Sequence, residues 1–231
     1  AIYEVDDDLT LIDTPGLFGY KEKFNADTHE QEKYKDITRK YVSEAHLVLY
    51  VMNSTNPLKE SHASELKWLF RELNLLPRTV FVLSRFDEVA DVADEEDYQQ
   101  NFSVKKQNVL SRLKDLIDLK DNEAQALSIV AVSANPFDAG VEHWLSEPER
   151  FRQLSHISLL QQATTKNIEA NGGLEKMALE TSKSIIQDVL LREMPVAVEK
   201  DKVLAEELEK LTRAEQRAST DIVVAQKKVS R

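Results

Sequence analysis

The stretch "LTLIDTPGLFGY", Leu9–Tyr20, joins a short apolar run to an abrupt turn. Its first four residues are apolar or β-branched without alternation, which is typical of a strand covered on both faces. Asp13 follows at once, and the chain then turns through Thr-Pro-Gly. A buried strand accounts for the apolar residues but not for the carboxylate at its end, so the acid at this position needs a chemical explanation.

The composition is that of a globular protein with an acidic surface. The 231 residues are 42% hydrophobic and carry a net charge of −11, which suits one large domain or one compact domain with an extension. Residues 1–150 hold 17 Lys and Arg against 29 Asp and Glu, whereas residues 151–231 hold 13 against 12. Because an acidic surface repels phosphate backbones and anionic headgroups, we expect no nucleic-acid partner.

The chain contains no cysteine, which excludes disulfides and thiolate metal sites and suits a reducing compartment. No apolar run approaches the ~18 residues that cross a bilayer. The sequence begins at Ala1 without a signal-peptide pattern, so we expect an internal start in a longer protein. Together these features predict a cytoplasmic location.

Apolar runs alternate with helix-period segments through the first 135 residues. Two short runs joined by an acidic turn predict an antiparallel hairpin over residues 1–13. Further strands are predicted at His46–Asn53, Arg78–Ser84 and Leu127–Ala134, with helices near residues 28–44, 59–73 and 103–119. This order predicts an α/β fold with a mostly parallel sheet and helices on both faces.

No strand is predicted after Pro136. Helices are expected near Pro148–Ala170, Leu174–Glu193 and Val196–Lys228, separated by Asn-Gly-Gly at residues 171–173 and by Pro195, which marks a kink or a new first turn. We therefore predict two domains, an α/β domain over residues 1–145 and an all-α helical bundle over residues 146–231.

The last predicted helix carries an apolar stripe. Its members recur at spacings that are mostly four and three: Leu204, Leu208, Leu211, Ala218, Ile222 and Ala225. Such a stripe packs on another helix. The partner is either a helix of the same chain or a second copy.

Three predicted strands run directly into polar loops. These read "DTPG" at Asp13–Gly16, "SRFD" at Ser84–Asp87 and "SAN" at Ser133–Asn135. In a parallel α/β sheet, ligands bind outside the carboxyl ends of the strands. The loops are therefore the first candidates for a binding site.

The residues in these loops suit a magnesium-bound guanine nucleotide. The Asp13 carboxylate can hold a metal-bound water and the Gly16 amide can face a phosphate oxygen, although Thr-Pro-Gly is equally explained as a simple turn. The Asp87 carboxylate offers two acceptors, which match the ring N–H and exocyclic amine of guanine and mismatch adenine. Arg85 can lay its flat guanidinium on the base or sugar. The Ala134 amide can reach the guanine carbonyl oxygen.

In this chain order the three loops resemble the nucleotide-binding motifs of dynamin-superfamily GTPases. "DTPG" looks like the third motif, "SRFD" like a variant of the fourth, and "SAN" sits where the fifth would be. The wording "LIDTPGLFGYKEKF" is similar to the bacterial, LeoA-like members. The resemblance implies a P-loop-NTPase-like G domain over about residues 1–135, followed by a helical neck and stalk.

The resemblance also implies a role for each matching residue. Asp13 would bind Mg²⁺ through water, Gly16 would contact the γ-phosphate of GTP, and Asp87 would read guanine. Arg85 would replace the usual lysine beside the base. The full implied nucleotide-binding set is Asp13, Thr14, Gly16, Ser84, Arg85, Asp87, Ser133, Ala134 and Asn135.

The segment after Gly16 resembles a nucleotide-sensing switch. It contains Gly19 and the charged run Lys21–Lys23, and its order would depend on the γ-phosphate. Leu17 stands where Ras-like enzymes carry a water-orienting glutamine. No catalytic residue is therefore assigned.

The implied function is that of a mechanochemical GTPase that uses GTP and Mg²⁺ and self-associates through its G domain or its helical stalk. It would act in membrane remodelling or vesicle-linked secretion, peripheral to the membrane, through parts outside this chain. No Gly-x-x-x-x-Gly-Lys-Ser/Thr occurs in the 231 residues, so we expect this chain alone to bind nucleotide poorly and to hydrolyse none measurably.

Two other functions fit parts of the pattern. The main alternative is a nucleotide-independent helical scaffold that carries a degenerate GTPase module. The second alternative is an Era-like GTPase that acts on ribosomes. This function would require a basic RNA-binding appendage, and the near-neutral residues 151–231 do not supply one.

Overall fold

A computed structural model describes residues 1–6, 9–14, 38 and 40–229 of the chain. It divides into two compact units, Ala1–Ile185 and Ile186–Arg231. The first unit contains both sheets and the helices packed on them. The helix predicted near residues 28–44 lies mostly outside the described residues, although residues 40–43 are helical. The domain boundary expected near residue 145 stays a prediction.

The strands form an antiparallel hairpin and a separate parallel sheet. The hairpin is antiparallel, as the sequence predicts, with Ile2 opposite Ile12. The prediction that Leu9–Ile12 is a strand covered on both faces is wrong, because the hairpin forms a two-stranded sheet of its own, in which Leu11 and Ile12 are exposed by 46% and 37%. The three parallel strands are hydrogen-bonded in the order β3-β4-β5. The strands in chain order are β1 (Ile2–Asp6), β2 (Leu9–Ile12), β3 (Val48–Asn53), β4 (Thr79–Ser84) and β5 (Ser128–Ala131).

Helices lie in the connections between the parallel strands and make up most of the chain after β5. They are α1 (Ala63–Lys67), α2 (Glu95–Ile117), α3 (Asp121–Ala126), α4 (Val141–Ser146), α5 (Pro148–Ser155), α6 (Ile157–Ala170), α7 (Gly173–Asp188) and α8 (Met194–Val229). Short 3₁₀ or π turns occur at Glu60–His62, Trp68–Glu72, Leu76–Arg78, Phe86–Glu88, Pro136–Asp138 and Val189–Glu193.

Strand β4 is the centre of the parallel sheet and is buried on both faces. Val80 and Val82 pack in a small cluster with Leu160 of α6. Phe81 and Leu83 point the other way, into the larger core that contains residues of α1 and α2. Burial on both faces explains why this strand shows no polar alternation, and it confirms a parallel sheet with helices on both faces.

Helix α2 begins about two turns earlier than the sequence predicts, at Glu95 instead of near Ser103. The Asp94 carboxylate caps it by accepting a hydrogen bond from the Glu96 amide at 3.0 Å. Acidic residues in the first turn also complement the positive end of the helix dipole. The acidic residues Glu95, Glu96 and Asp97 therefore form the first turn of this helix.

The single helix predicted over Pro148–Ala170 is two helices, broken at His156. This residue adopts a left-handed backbone with φ of 52°, which ends α5. Its ring stacks on Tyr98 with a centroid separation of 3.8 Å. The preceding carbonyl, of Ser155, accepts a hydrogen bond from the Ser133 amide at 3.0 Å. The end of helix α5 is therefore hydrogen-bonded to the segment that follows strand β5.

Helix α8 is 36 residues long and begins at Met194, directly after the π turn Val189–Glu193, so that Pro195 is its second residue. Its predicted apolar stripe is exposed, since Leu204, Leu208 and Leu211 retain 64–68% of their accessible surface. Among the helices of the described segments, none is both long and apolar enough to span a membrane.

Candidate functional site

The carboxyl ends of β4 and β5 lie side by side. Leu83 is opposite Ala131 in the parallel register. Backbone pairing continues beyond the strands, because the Val132 amide donates to the Leu83 carbonyl at 2.8 Å and the Phe86 amide donates to the Val132 carbonyl at 3.1 Å. The two loops that follow these strands are therefore held together.

Asp87 and Ser133 meet at this edge of the sheet. The Ser133 hydroxyl donates a hydrogen bond to Asp87 Oδ1. The Phe137 amide donates to the other oxygen, Oδ2, at 3.1 Å. Because a carboxylate has about four lone-pair sites, each oxygen keeps capacity for one more donor. The carboxylate is thus fixed at both oxygens and can still accept a ligand edge that carries two N–H groups.

Ser84 joins the ends of β3 and β4. Its hydroxyl donates to the Met52 carbonyl at 3.0 Å. Its own carbonyl accepts from the Ser54 hydroxyl at 2.6 Å and from the Ser54 amide at 3.2 Å. These contacts fix the position of Ser84, the residue directly before the Asp87 loop.

Arg85 begins that loop in a left-handed backbone conformation, with φ of 55°. Its side chain is 70% exposed, and the guanidinium pairs with Glu88 one turn further on. Exposed ion pairs of this kind contribute little to stability. The guanidinium can therefore leave Glu88 at small cost and lie against a flat ligand.

Asn135 places its side chain in the loop that follows Ser133. Its Oδ1 accepts hydrogen bonds from the Gly140 amide at 2.8 Å and from Trp144 Nε1 at 3.2 Å. Its Nδ2 donates to Asp138 Oδ1 at 2.8 Å. The side chain of Asn135 thus ties the loop to helix α4, while the neighbouring Ala134 is exposed.

Sequence reasoning did not identify Phe137 as a contact of Asp87. Phe137 and Asp138 both have φ of 56°, and two consecutive non-glycine residues in this region are not expected from their side chains. The Asn-Pro dipeptide at residues 135–136 signals only that a turn begins. The contact arises from the loop conformation, which sequence alone does not give.

Asp13 closes the base of the hairpin. Its amide donates to the Ala1 carbonyl at 2.8 Å, and the Ala1 nitrogen donates to the Asp13 carbonyl at 2.7 Å. The Asp13 side chain is exposed and Thr14 is half-buried. Between described residues, no hydrogen bond or ion pair links Asp13 with the Asp87 loop.

Gly16, Leu17, Gly19 and Lys21–Lys23 lie outside the described residues. Their assigned roles stay predictions.

The chemistry of Asp13 fits a magnesium ion held partly by phosphate. Mg²⁺ usually keeps several waters and takes one or two carboxylates together with substrate phosphates. Asp13 offers one exposed carboxylate at the end of a strand. In the part of the chain that the structure covers, no cluster of three or more His, Cys, Asp or Glu could hold a metal alone. One carboxylate is therefore suited to a metal that a nucleotide brings with it.

Two protein-family models match this chain. The model of the dynamin family matches residues 2–86, and the model of the dynamin-like helical domain matches residues 119–231. The first range runs from β1 to the start of the Asp87 loop. The second begins before β5 and includes α3 to α8.

A solved structure also resembles the chain: the LeoA bacterial dynamin GTPase from ETEC. The two are 35% identical and superpose with a TM-score of 0.58, over 82% of this chain and 33% of that one. This chain therefore spans about a third of the length of that relative. A comparison with curated proteins gives no match.

Proposed function

This chain belongs to the dynamin superfamily, and from that premise we propose that the longer protein containing it binds and hydrolyses GTP. Membership rests on the two family models and on the 35% identity to LeoA, whose structure is described as that of a GTPase. The chain carries part of the dynamin-family GTPase region, joined to a dynamin-like helical domain.

One observation supports guanine recognition most directly: both oxygens of the Asp87 carboxylate are held by donors from the loop after β5. Ser133 holds Oδ1 and the Phe137 amide holds Oδ2. The remaining lone pairs match the ring N–H and exocyclic amine of guanine. Adenine would place a ring acceptor against one of these oxygens. The arrangement therefore favours GTP over ATP.

The other residues of the proposed site act around this contact. We propose that Arg85 covers one face of the base and that the Ala134 amide approaches the guanine carbonyl. Asp13 would hold a magnesium-bound water. When bound, Mg²⁺ neutralises charge on the phosphates during transfer. The groups that position the attacking water are not assigned to this chain.

We further propose that nucleotide binding drives movement of the helical domain and that the protein self-associates and works at membranes. Family membership supports all three parts of this proposal. The exposed stripe on α8 adds a surface that could make contacts between copies.

The experiment that tests the GTPase proposal compares the longer protein with its Asp87→Ala variant. Titration calorimetry with GTP and with ATP, both with magnesium, should show tighter binding of GTP by the unmodified protein. Loss of two hydrogen bonds to a charged group should weaken GTP binding by about 100-fold or more. ATP binding should change little.

The control is Asp115→Ala, which removes an exposed carboxylate from α2 and should leave both affinities unchanged. Equal affinity of the unmodified protein for GTP and ATP would contradict the proposal.

A nucleotide-independent scaffold is the second candidate. It is favoured by one feature, that Asp87 already accepts two hydrogen bonds from its own chain. A scaffold of this type would assemble equally well with and without nucleotide and would give no heat with GTP. The calorimetric titration therefore separates the two functions.

A further inference from the structure

The loop that supplies the Phe137 amide has an unfavourable backbone. Phe137 and Asp138 are both left-handed, and Gly140 has φ of 89° and ψ of 159°. Left-handed non-glycine residues cost on the order of 1 kcal/mol or more each. The loop keeps this shape only if other contacts impose it.

Two backbone hydrogen bonds close the turn, from the Asp138 amide to the Asn135 carbonyl at 3.0 Å and from the Ala139 amide to the Pro136 carbonyl at 3.4 Å. The Asn135 side chain supplies the contacts that tie this turn to α4. Its side chain bonds forward to three positions, namely Asp138, Gly140 and Trp144. These bonds enclose the strained residues between Asn135 and the start of α4. Together with the backbone hydrogen bonds of the turn, this one side chain therefore holds the segment in which Phe137 lies.

The three hydrogen bonds of the Asn135 side chain form what we call the Asn135 clamp, and its last partner, Trp144, is held firmly by packing. Trp144 is only 7% exposed and its ring packs against Phe151 of α5, with centroids 5.9 Å apart. The indole N–H that reaches Asn135 therefore starts from a rigid position. Movement of Trp144 is not needed to explain the loop shape.

The two oxygens of Asp87 have separate supports. Oδ1 is held by Ser133, which directly follows the sheet and whose amide donates to the Ser155 carbonyl. Oδ2 is held by the Phe137 amide, inside the segment that Asn135 encloses. Loss of the Asn135 clamp should release Oδ2 and leave Oδ1 in place.

We propose that Asn135 is a positioning residue for guanine recognition, which acts by holding the Phe137 amide on Asp87 and not by touching the base. This inference rests on the proposed function. With Oδ2 released, the carboxylate can rotate and no longer offers both oxygens in one plane to the two N–H groups of guanine. Hypoxanthine lacks the exocyclic amine and uses only one of the two carboxylate oxygens, so binding of a hypoxanthine nucleotide should be weakened less.

The test uses a substitution and its rescue in the longer protein. Asn135→Asp keeps the acceptors for Gly140 and Trp144 but places a second carboxylate against Asp138. The double variant Asn135→Asp/Asp138→Asn restores one donor and one acceptor to that pair. KM and kcat are measured for GTP and for ITP, the hypoxanthine nucleotide.

We expect Asn135→Asp to raise KM for GTP about 10-fold, since one hydrogen bond to a charged group is weakened. KM for ITP should change less, and kcat should stay within about twofold for both. The double variant should recover most of the preference for GTP over ITP. Asn108→Asp, the same change at an exposed position of α2, is the control and should match the unmodified protein.

A second variant covers the case in which Asn135→Asp does not fold. Trp144→Phe removes one donor to Asn135 while it keeps a large buried ring, and it should lower the GTP to ITP preference in the same direction by a smaller factor. An unchanged preference in the folded variants would overturn the inference, and so would a loss that the double variant does not recover. If Asp87→Ala abolishes the preference while Asn135→Asp leaves it intact, the proposed function stands and only the role of Asn135 fails.

Discussion

Arg78 Nη2 donates a hydrogen bond to Ser184 Oγ at 2.7 Å, joining the start of β4 to helix α7 across 106 residues. Nη1 donates to Thr181 Oγ1 at 2.6 Å and to the Ala45 carbonyl at 3.1 Å. The residue is 3% exposed, and burial lowers the pKa of its guanidinium from the ordinary value. A charged side chain with hydroxyl and carbonyl partners thus fastens α7 to the amino end of the sheet.

Arg78→Ala should therefore destabilise the protein by about 3 kcal/mol, because it removes buried hydrogen bonds and leaves two hydroxyls without their donor. Arg78→Lys should recover only part of the loss, since an ammonium cannot reproduce the fork of the guanidinium. Urea unfolding gives the free energies. Arg150→Ala, at an exposed ion pair with Glu147, should change stability by less than about 0.5 kcal/mol. A similar small change for Arg78→Ala would contradict this role.

The ion pair between Arg71 and Glu123 should make stability depend on pH. Both carboxylate oxygens accept from the guanidinium, at 2.7 and 2.9 Å, and these hydrogen bonds lower the pKa of Glu123 to about 2. The stabilisation is fully present above the pKa of the unfolded carboxyl, ~4.3, and is lost as pH falls towards 2. The deficit of Glu123→Gln in free energy of unfolding should therefore shrink over that range.

Chemical unfolding of the unmodified protein and the variant at several pH values measures this deficit. Arg71→Met removes the other partner and should show the same trend. A deficit that stays constant from neutral pH down to about pH 3 would show that the pair does not perturb Glu123.

Tyr98 should stabilise the end of β5 through its hydroxyl. That group donates to the Ala131 carbonyl at 2.9 Å, and the side chain is 1% exposed. Tyr98→Phe keeps the ring packing and removes the donor, so it should cost about 1 kcal/mol in thermal or urea unfolding. Tyr3→Phe, on the exposed hairpin, is the control and should be neutral. An unchanged stability for Tyr98→Phe would mean that this carbonyl finds another donor.

The apolar stripe of α8 should mediate contacts between helices in the longer protein. Burial of a leucine contributes roughly 1.5–3 kcal/mol, and Leu208 and Leu211 are exposed by 67% and 68%. If the contact is between copies, Leu208→Glu/Leu211→Glu should lower the mass measured by light scattering. Lys210→Glu introduces the same charge away from the stripe and should not. An unchanged mass with a lower unfolding midpoint would instead place the partner helix within the same chain.

The parallel sheet was predictable because β4 is a continuous apolar run. Such a run is stabilised by burial against any apolar surroundings, so its structure does not depend on particular distant residues. The run from Val80 to Leu83 is typical of a strand covered on both faces, and it is buried as predicted. The similar run that ends in Leu11 and Ile12 is exposed, so this pattern predicts a strand more securely than it predicts burial. Signals of this kind depend only on neighbouring residues.

What sequence could not supply depends on distant contacts. At the break between α5 and α6 the His156 ring stacks on Tyr98, which lies 58 positions earlier in the chain. The buried Arg78 donates to hydroxyls that lie more than 100 residues away. Asn135 was assigned to the nucleotide by its place in a motif, whereas its side-chain hydrogen bonds reach Trp144 and the loop between them. No local pattern reports where such a side chain finds its partners.

The most direct test of guanine recognition by Asp87 is the Asp87→Asn variant of the longer protein, assayed with GTP and with XTP. The amide of Asn offers one acceptor and one donor. The acceptor suits the ring N–H of xanthine, and the donor suits the carbonyl that xanthine has in place of the exocyclic amine of guanine. We predict that kcat/KM for GTP falls by about 100-fold or more and that XTP becomes the preferred substrate. Retention of full GTP activity with no gain for XTP would contradict the assignment.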